Sequence, residues 1–141
     1  MNRGDAIRRI TREYVNDVAK DPSDYWTVEP DEANCFHWTG TIQNIPSASY
    51  KGGVYTLDIL FPEQYPFKPP KVRFTNSINN RFVNPRNGEI CLDILREAWS
   101  PALTIGKVLI GICSLLADDK CQVTFGGRYA DLTQRMSKMQ V

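Results

Sequence analysis

One histidine, four cysteines and a formal net charge of +1 over 141 residues are the scarcities of this chain. Each removes a class of function. With 17 basic against 16 acidic residues, no global field draws in a nucleic acid or an anionic membrane surface, so any basic partner surface is local. No apolar run approaches the roughly 18 residues of a membrane span. Met1-Asn2-Arg3-Gly4-Asp5 lacks the apolar stretch of a secretory leader. The thiols Cys35, Cys91, Cys113 and Cys121 include no C-x-x-C pair and are too few for a disulfide framework, which argues against structural zinc or dithiol redox chemistry. Repeats, linkers and low-complexity segments are missing too. The expected setting is reducing, cytoplasmic and/or nuclear, with each cysteine a lone thiol.

The hydrophobic share of 42% and charged share of 23% are those of an ordinary globular protein, and the length suits one domain over 1–141 with a substantial core. Asp5 to Lys20 reads as a helix. Ile7, Ile10, Tyr14 and Val18 recur at helical spacing, Asp5 is placed to cap it, and Asp21-Pro22 ends it. Arg8, Arg9 and Arg12 fall off the apolar stripe, as a solvated face or a docking surface. The period then changes to two. Phe36 to Ile42, Val54 to Phe61 and Lys71 to Thr75 read as strands, with Trp26-Thr27-Val28 as a short fourth. Their links are short and turn-rich, which favours an antiparallel meander. Asn76 to Trp99 has neither period, and a long irregular stretch in a compact domain is usually functional. Ile105, Val108, Leu109, Ile112, Leu115 and Leu116 then mark a central helix that is apolar nearly all round. Tyr129, Leu132 and Met136 allow one modest terminal helix. The fold class is α+β.

Among the thiols, Cys113 inside the apolar helix and Cys35 at the start of a strand read as core packing. Cys121 follows Asp118-Asp119-Lys120, where acidic neighbours oppose a thiolate. Cys91 ends the irregular segment, where a rigid scaffold tends to place reactive groups. A cysteine hydrolase needs a histidine to raise the thiolate fraction and move protons. The sole histidine, His37, lies in a predicted strand beside Trp38, where a structural role is expected. A thiol without a base suits exchange between already activated thioesters better than amide cleavage.

Three segments then carry a resemblance. Tyr65-Pro66-Phe67-Lys68-Pro69-Pro70-Lys71-Val72, Gly88-Glu89-Ile90-Cys91-Leu92-Asp93-Ile94-Leu95 and Trp99-Ser100-Pro101-Ala102-Leu103-Thr104-Ile105 resemble the ubiquitin-conjugating enzyme family in order and spacing. Phe36-His37-Trp38 and Tyr50-Lys51-Gly52-Gly53-Val54 match as well, so that the likeness runs from Asp5 to Asp118. It looks closest to the small members that serve RING-type ligases. The resemblance implies an N-terminal helix, a four-stranded antiparallel meander, a central helix and, here, a shortened C-terminal helical tail. It implies that Cys91 accepts ubiquitin from the activating enzyme as a thioester and yields it to a substrate lysine or a ligase cysteine. No metal or organic cofactor is implied, since the activating enzyme is the one that uses ATP. Expected partners are ubiquitin, the activating enzyme, RING- or HECT-type ligases and protein substrates. A monomer is expected, with no nucleic acid or membrane partner. Phe67, with Ser100, Pro101 and Ala102, corresponds to the two ligase-binding loops, and Arg9 and Arg12 to the basic contacts of the first helix. Thr27 falls near the outer sheet face, where some relatives hold a second ubiquitin.

Two departures accompany the likeness. The family usually carries His-Pro-Asn with the Asn eight residues before the cysteine, a position held here by Val83. The stretch before Cys91 is also one residue longer than the common pattern, leaving Asn84 and Asn80 as substitutes, with Asn84 preferred. After the central helix the usual acidic loop is replaced by Asp118-Asp119-Lys120-Cys121-Gln122-Val123, with Val123 where an acid is often found. The leading expectation is an active conjugating enzyme. The alternative is a conjugating-enzyme-like scaffold that binds ubiquitin or ligases without productive lysine transfer.

Overall fold

The structure, a computed structural model, describes residues 3–19 and 23–117. Helix α1 runs from Arg3 to Glu13 and continues as a widened π-helical turn over Tyr14–Ala19. The helix therefore starts before Asp5, which is not its cap. Asp5 lies in the first turn, where the helix dipole favours a carboxylate, and it pairs with Arg8. Ala6, Ile10 and Val18 are buried, and Ile7 and Tyr14 pack against the same core.

Four strands follow in the order β1 (Trp26–Asp31), β2 (Asn34–Ile42), β3 (Tyr55–Leu60) and β4 (Lys71–Phe74), every neighbouring pair antiparallel. The meander expected from the short links is thus the observed one. β1 is longer than the sequence suggests. It runs past Val28 through Pro30, which is tolerated because β1 is an edge strand, where a proline need not donate to a ladder. The register shifts between Pro30 and Asp31.

Alternation along β2 turns Phe36, Trp38, Gly40 and Ile42 inward and leaves Cys35, His37, Thr39 and Thr41 on the outer face. Cys35, expected in the core, is consequently exposed. Thr27 is exposed on that same outer face, opposite Thr41. On the inner face Trp38 meets Tyr14 edge-on at 5.6 Å and Phe61 at 4.9 Å, and Phe61 meets Tyr65 at 4.8 Å. Helix α2 (Ile105–Ala117) is buried almost all round, as its unbroken apolar character requires. Inner sheet face, α1 and α2 share one core, which includes Trp38, Leu57, Ile59, Leu109 and Ile112. The expected terminal helix, Cys121 and the altered acidic stretch lie outside the described residues. Among the described residues, no helix is long and apolar enough to cross a membrane.

Candidate functional site

Between β4 and α2 the chain has little regular structure, yet it is held closely. Val83 and Ile90 form an antiparallel bridge, and the Asn84 N–H donates to the Glu89 carbonyl at 2.8 Å, closing a short hairpin. Its turn depends on Gly88, at φ 75°, where any Cβ would collide with the Phe74 carbonyl oxygen. Beyond the bridge the Cys91 N–H donates to the Phe82 carbonyl at 2.7 Å. Ile90 and Leu92 point into the core at 4% and 2% exposure, so alternation pushes the intervening Cys91 thiol out to solvent. Anchored on both sides and open on one, Cys91 can meet another protein's acyl group without the fold rearranging. Cys113 is the reverse case, fully buried in α2, with burial pushing its thiol far above the ordinary range.

Neither candidate asparagine meets Cys91 directly. Asn80 Oδ1 accepts the Phe82 N–H at 2.8 Å, and Asn80 Nδ2 donates to Tyr50 Oη at 2.9 Å, so Asn80 reaches the thiol's backbone through Phe82. Asn84 Oδ1 accepts the Arg86 N–H at 2.9 Å and shapes the far end of the hairpin. Of the two, Asn80 is linked through Phe82 to the Cys91 backbone, while Asn84, preferred on spacing, is bonded within the hairpin. Asp93, two residues past the thiol, opens a short 3-10 turn (Asp93–Leu95), and its Oδ1 is buried with no hydrogen-bond partner among the described residues.

The residues expected to dock a ligase lie on two loops. Phe67 stands 61% exposed on the loop after Pro62, and Ser100, Pro101 and Ala102 are exposed on the loop before α2. A buried hub joins the loops. Glu13, 3% exposed, receives the Arg9 Nε–H at 2.7 Å, the Tyr65 hydroxyl at 2.6 Å and the Ile105 N–H at 2.7 Å. Arg9 Nη2 also donates to the carbonyls of Pro101 at 2.8 Å and Leu103 at 3.1 Å, while Trp99 Nε1 donates to the Pro66 carbonyl at 2.8 Å. Burial and the Glu13 charge push the Tyr65 hydroxyl far up, keeping it a donor. Arg9 is therefore no solvated cation. Its side chain is 17% exposed and ties α1 to the second loop, whereas Arg12 is exposed on α1.

Across the outer sheet face, His37 is structural, as expected of a strand histidine with acceptors in reach. Its Nδ1 lies 3.1 Å from Asp31 Oδ2 and its Nε2 3.0 Å from Asp58 Oδ1, and Arg73 donates to Asp58 Oδ2 at 3.0 Å. Hydrogen bonds to Asp31 and then Asp58 raise the imidazole pKa above its usual value.

An exposed thiol on a braced hairpin, and two loops that one buried carboxylate links, sit within a helix-meander-helix scaffold. The sequence profile of ubiquitin-conjugating enzymes matches residues 9–139. The chain belongs to the ubiquitin-conjugating enzyme family. Its fold resembles the E2 domain of a Toxoplasma gondii ubiquitin conjugating enzyme, with a TM-score of 0.71 and 33% identity over 93% of this chain and 86% of that one. Sequence reasoning passed over Glu13, Tyr65, Phe82 and Asp93. For Glu13 a signal existed, since an acid between Ile10 and Tyr14 interrupts the buried stripe of the conjugating-enzyme helix. For Phe82 the only signal was its place one residue before Val83.

Proposed function

We propose that this member of the family is an active ubiquitin-conjugating transferase with Cys91 as its acyl carrier. The Cys91 thiolate attacks the thioester carbonyl at the C-terminal glycine of ubiquitin on the activating enzyme. A new C–S bond forms, and the activating enzyme's cysteine leaves as thiolate. A substrate lysine amine, or a ligase cysteine, then attacks the same carbonyl. Cys91 departs as thiolate, and the lysine nitrogen gives up a proton on forming the amide. The chain itself needs no ATP and no cofactor. The observation that carries this reading is the exposure of Cys91 between two buried anchors, within the segment that carries the resemblance.

Supporting features surround it. Phe67 with Ser100, Pro101 and Ala102 presents an exposed aromatic beside a polar loop, the composition of a ligase anchor, and Arg12 adds a cation for ligase or activating enzyme. Arg9 supports the loop from beneath. Cytoplasmic and/or nuclear action as a monomer fits such partners.

A charging assay with activating enzyme, ATP and ubiquitin, read on a non-reducing gel, tests the proposal. We expect a reductant-sensitive adduct that Cys91→Ala abolishes. No adduct from folded protein, beside a working control enzyme, would favour the second reading, a scaffold that binds ubiquitin or ligases without lysine transfer. One observation favours that second reading: Asn80 directs its Nδ2, the donor an oxyanion would need, to Tyr50 Oη at 2.9 Å.

A further inference from the structure

Beside the Cys91 hairpin, away from the docking loops, lies a cleft of about 270 Å³ between the exit of β4 and the Asn84–Gly88 turn. Its apolar floor is Phe74, Ile78 and Val83, and its polar rim includes Arg73, Arg86 and Asn87. Among the described residues, no aspartate or glutamate lines it. Glu89, opposite Arg73 in the ladder, lines a neighbouring groove with Lys71 and Arg96 instead.

The asparagines sharpen that asymmetry. Asn84 Oδ1 accepts the Arg86 N–H, and Asn87 Oδ1 accepts the Glu89 N–H, both at 2.9 Å. Their side-chain oxygens are thus engaged within the turn, and what they still offer is the Nδ2 donor. Arginine is donor-only as well. Across the cleft Asn76 Oδ1 is taken by the Thr56 N–H, and the Thr75 and Ser77 hydroxyls can donate as well as accept, so the rim's balance favours an anion.

The kind of anion follows from the backbone. A phosphate cradle needs converging free N–H groups. Here those of Arg86 and Glu89 go to asparagine oxygens, that of Phe74 goes to the Gly88 carbonyl, and that of Gly88 goes to the Asn84 carbonyl. Side-chain guanidinium forks remain, and these match carboxylates in a two-bond geometry. Arg86 is exposed, and Arg73 has one Nη on Asp58 with the rest of its fork available. A net charge of +1 provides no field for a polynucleotide.

We propose that this cleft binds a glutamate- or aspartate-rich peptide segment of a partner protein. The bound segment would lie on the hairpin that leads into Cys91. The consequence that clients with an acidic segment are held near the thiol rests on the transferase reading above. The binding itself does not.

The test uses the full, uncharged chain labelled with ¹⁵N. Backbone amide shifts are followed on adding a glutamate-rich decapeptide at low salt, with a lysine-rich decapeptide and inorganic phosphate as separate probes. We expect saturable shifts at Ser77, Arg86, Asn87 and Gly88 with the glutamate peptide alone. Arg86→Glu should weaken that binding by at least about tenfold, the loss of one charge-assisted pair. Lys51→Glu, with the same change in net charge on an exposed turn that does not line the cleft, should change it less than about twofold. No saturable shift, equal weakening by Lys51→Glu, or shifts with phosphate but not the peptide would each overturn the proposal. Because charging plays no part in the readout, failure here leaves the transferase reading standing, and a failed charging assay leaves this one standing.

Discussion

Glu13 Oε1 accepts the Ile105 N–H at 2.7 Å, so an acid on the first helix caps the N-terminus of α2, 92 residues away. A carboxylate is the favoured occupant of that position, because the exposed N–H groups and the helix dipole both attract negative charge. The same carboxylate holds Arg9 and Tyr65, and through them the two loops that carry Phe67 and Ser100 to Ala102.

Removing that carboxylate breaks a nearly buried ion pair. Glu13 is 3% and Arg9 17% exposed, so little solvent screening offsets the loss. Glu13→Ala leaves the guanidinium uncompensated and the Tyr65 hydroxyl and Ile105 N–H without their acceptor, a class of change that costs about 3–5 kcal/mol. We expect a loss of that order in urea unfolding, with Glu13→Gln losing less because an amide oxygen still accepts. A loss below about 1 kcal/mol for Glu13→Ala would show that the hub does not hold the loops.

Phe67 should behave in the opposite way. At 61% exposure it contributes little to the fold, and Phe67→Ala should alter stability by less than about 0.5 kcal/mol. Charging of Cys91 should be unchanged. Ligase-stimulated discharge should fall by about tenfold or more, as for an aromatic anchor lost from an interface. Undiminished discharge with several RING ligases would remove Phe67 from the docking surface.

How far the sequence foretold these features depended on the range of the interaction. The strands were legible because alternation needs only neighbours: Leu57 and Ile59 point inward where period two puts them. α2 was legible because no polar face interrupts it. Cys91 stood out by motif, and its exposure follows from the Ile90 and Leu92 anchors beside it. Glu13 could be seen to interrupt the buried stripe, but its role as a hub was not legible, since its partners Tyr65 and Ile105 lie 52 and 92 residues away. Cys35 was assigned to the wrong face because the apolar pair Cys35-Phe36 does not say which member turns inward. Pro30 hid the end of β1, because edge position is a property of the whole sheet. Asn84 was preferred on spacing alone, while the Asn80 to Phe82 link depends on a loop turn that no periodicity encodes.

That link gives the third test. Asn80 braces the backbone whose Phe82 carbonyl receives the Cys91 N–H, so Asn80→Ala should shift the thiol's position. Small displacements of a reacting group are expensive in rate. We expect discharge of the charged form onto free lysine to slow by about tenfold or more in Asn80→Ala and by less than about threefold in Asn84→Ala. The reverse order would return the supporting role to Asn84.

The outer sheet face gives the last, which is a matter of sign. His37 is the chain's one histidine, so its imidazole titration can be followed by NMR without assignment ambiguity. The Asp31 hydrogen bond, and secondly that of Asp58, hold its pKa above the usual 6.5, with Arg73 paired to the same Asp58. Asp31 is lowered below 3.8, chiefly by the His37 hydrogen bond. A raised histidine stabilises the fold fully below its unfolded value, and that gain is lost as pH rises through the folded one. A lowered aspartate contributes above its unfolded value, and its gain is lost as pH falls through the folded one. Both contributions are present together between those two ordinary values. The difference in unfolding free energy between the native chain and His37→Gln should therefore be largest near about pH 5 and shrink above neutrality. Asp31→Asn should lower the measured His37 pKa more than Asp58→Asn does. A difference that stays flat between about pH 5 and pH 9 would mean that the imidazole bridges the two strands without taking up a proton.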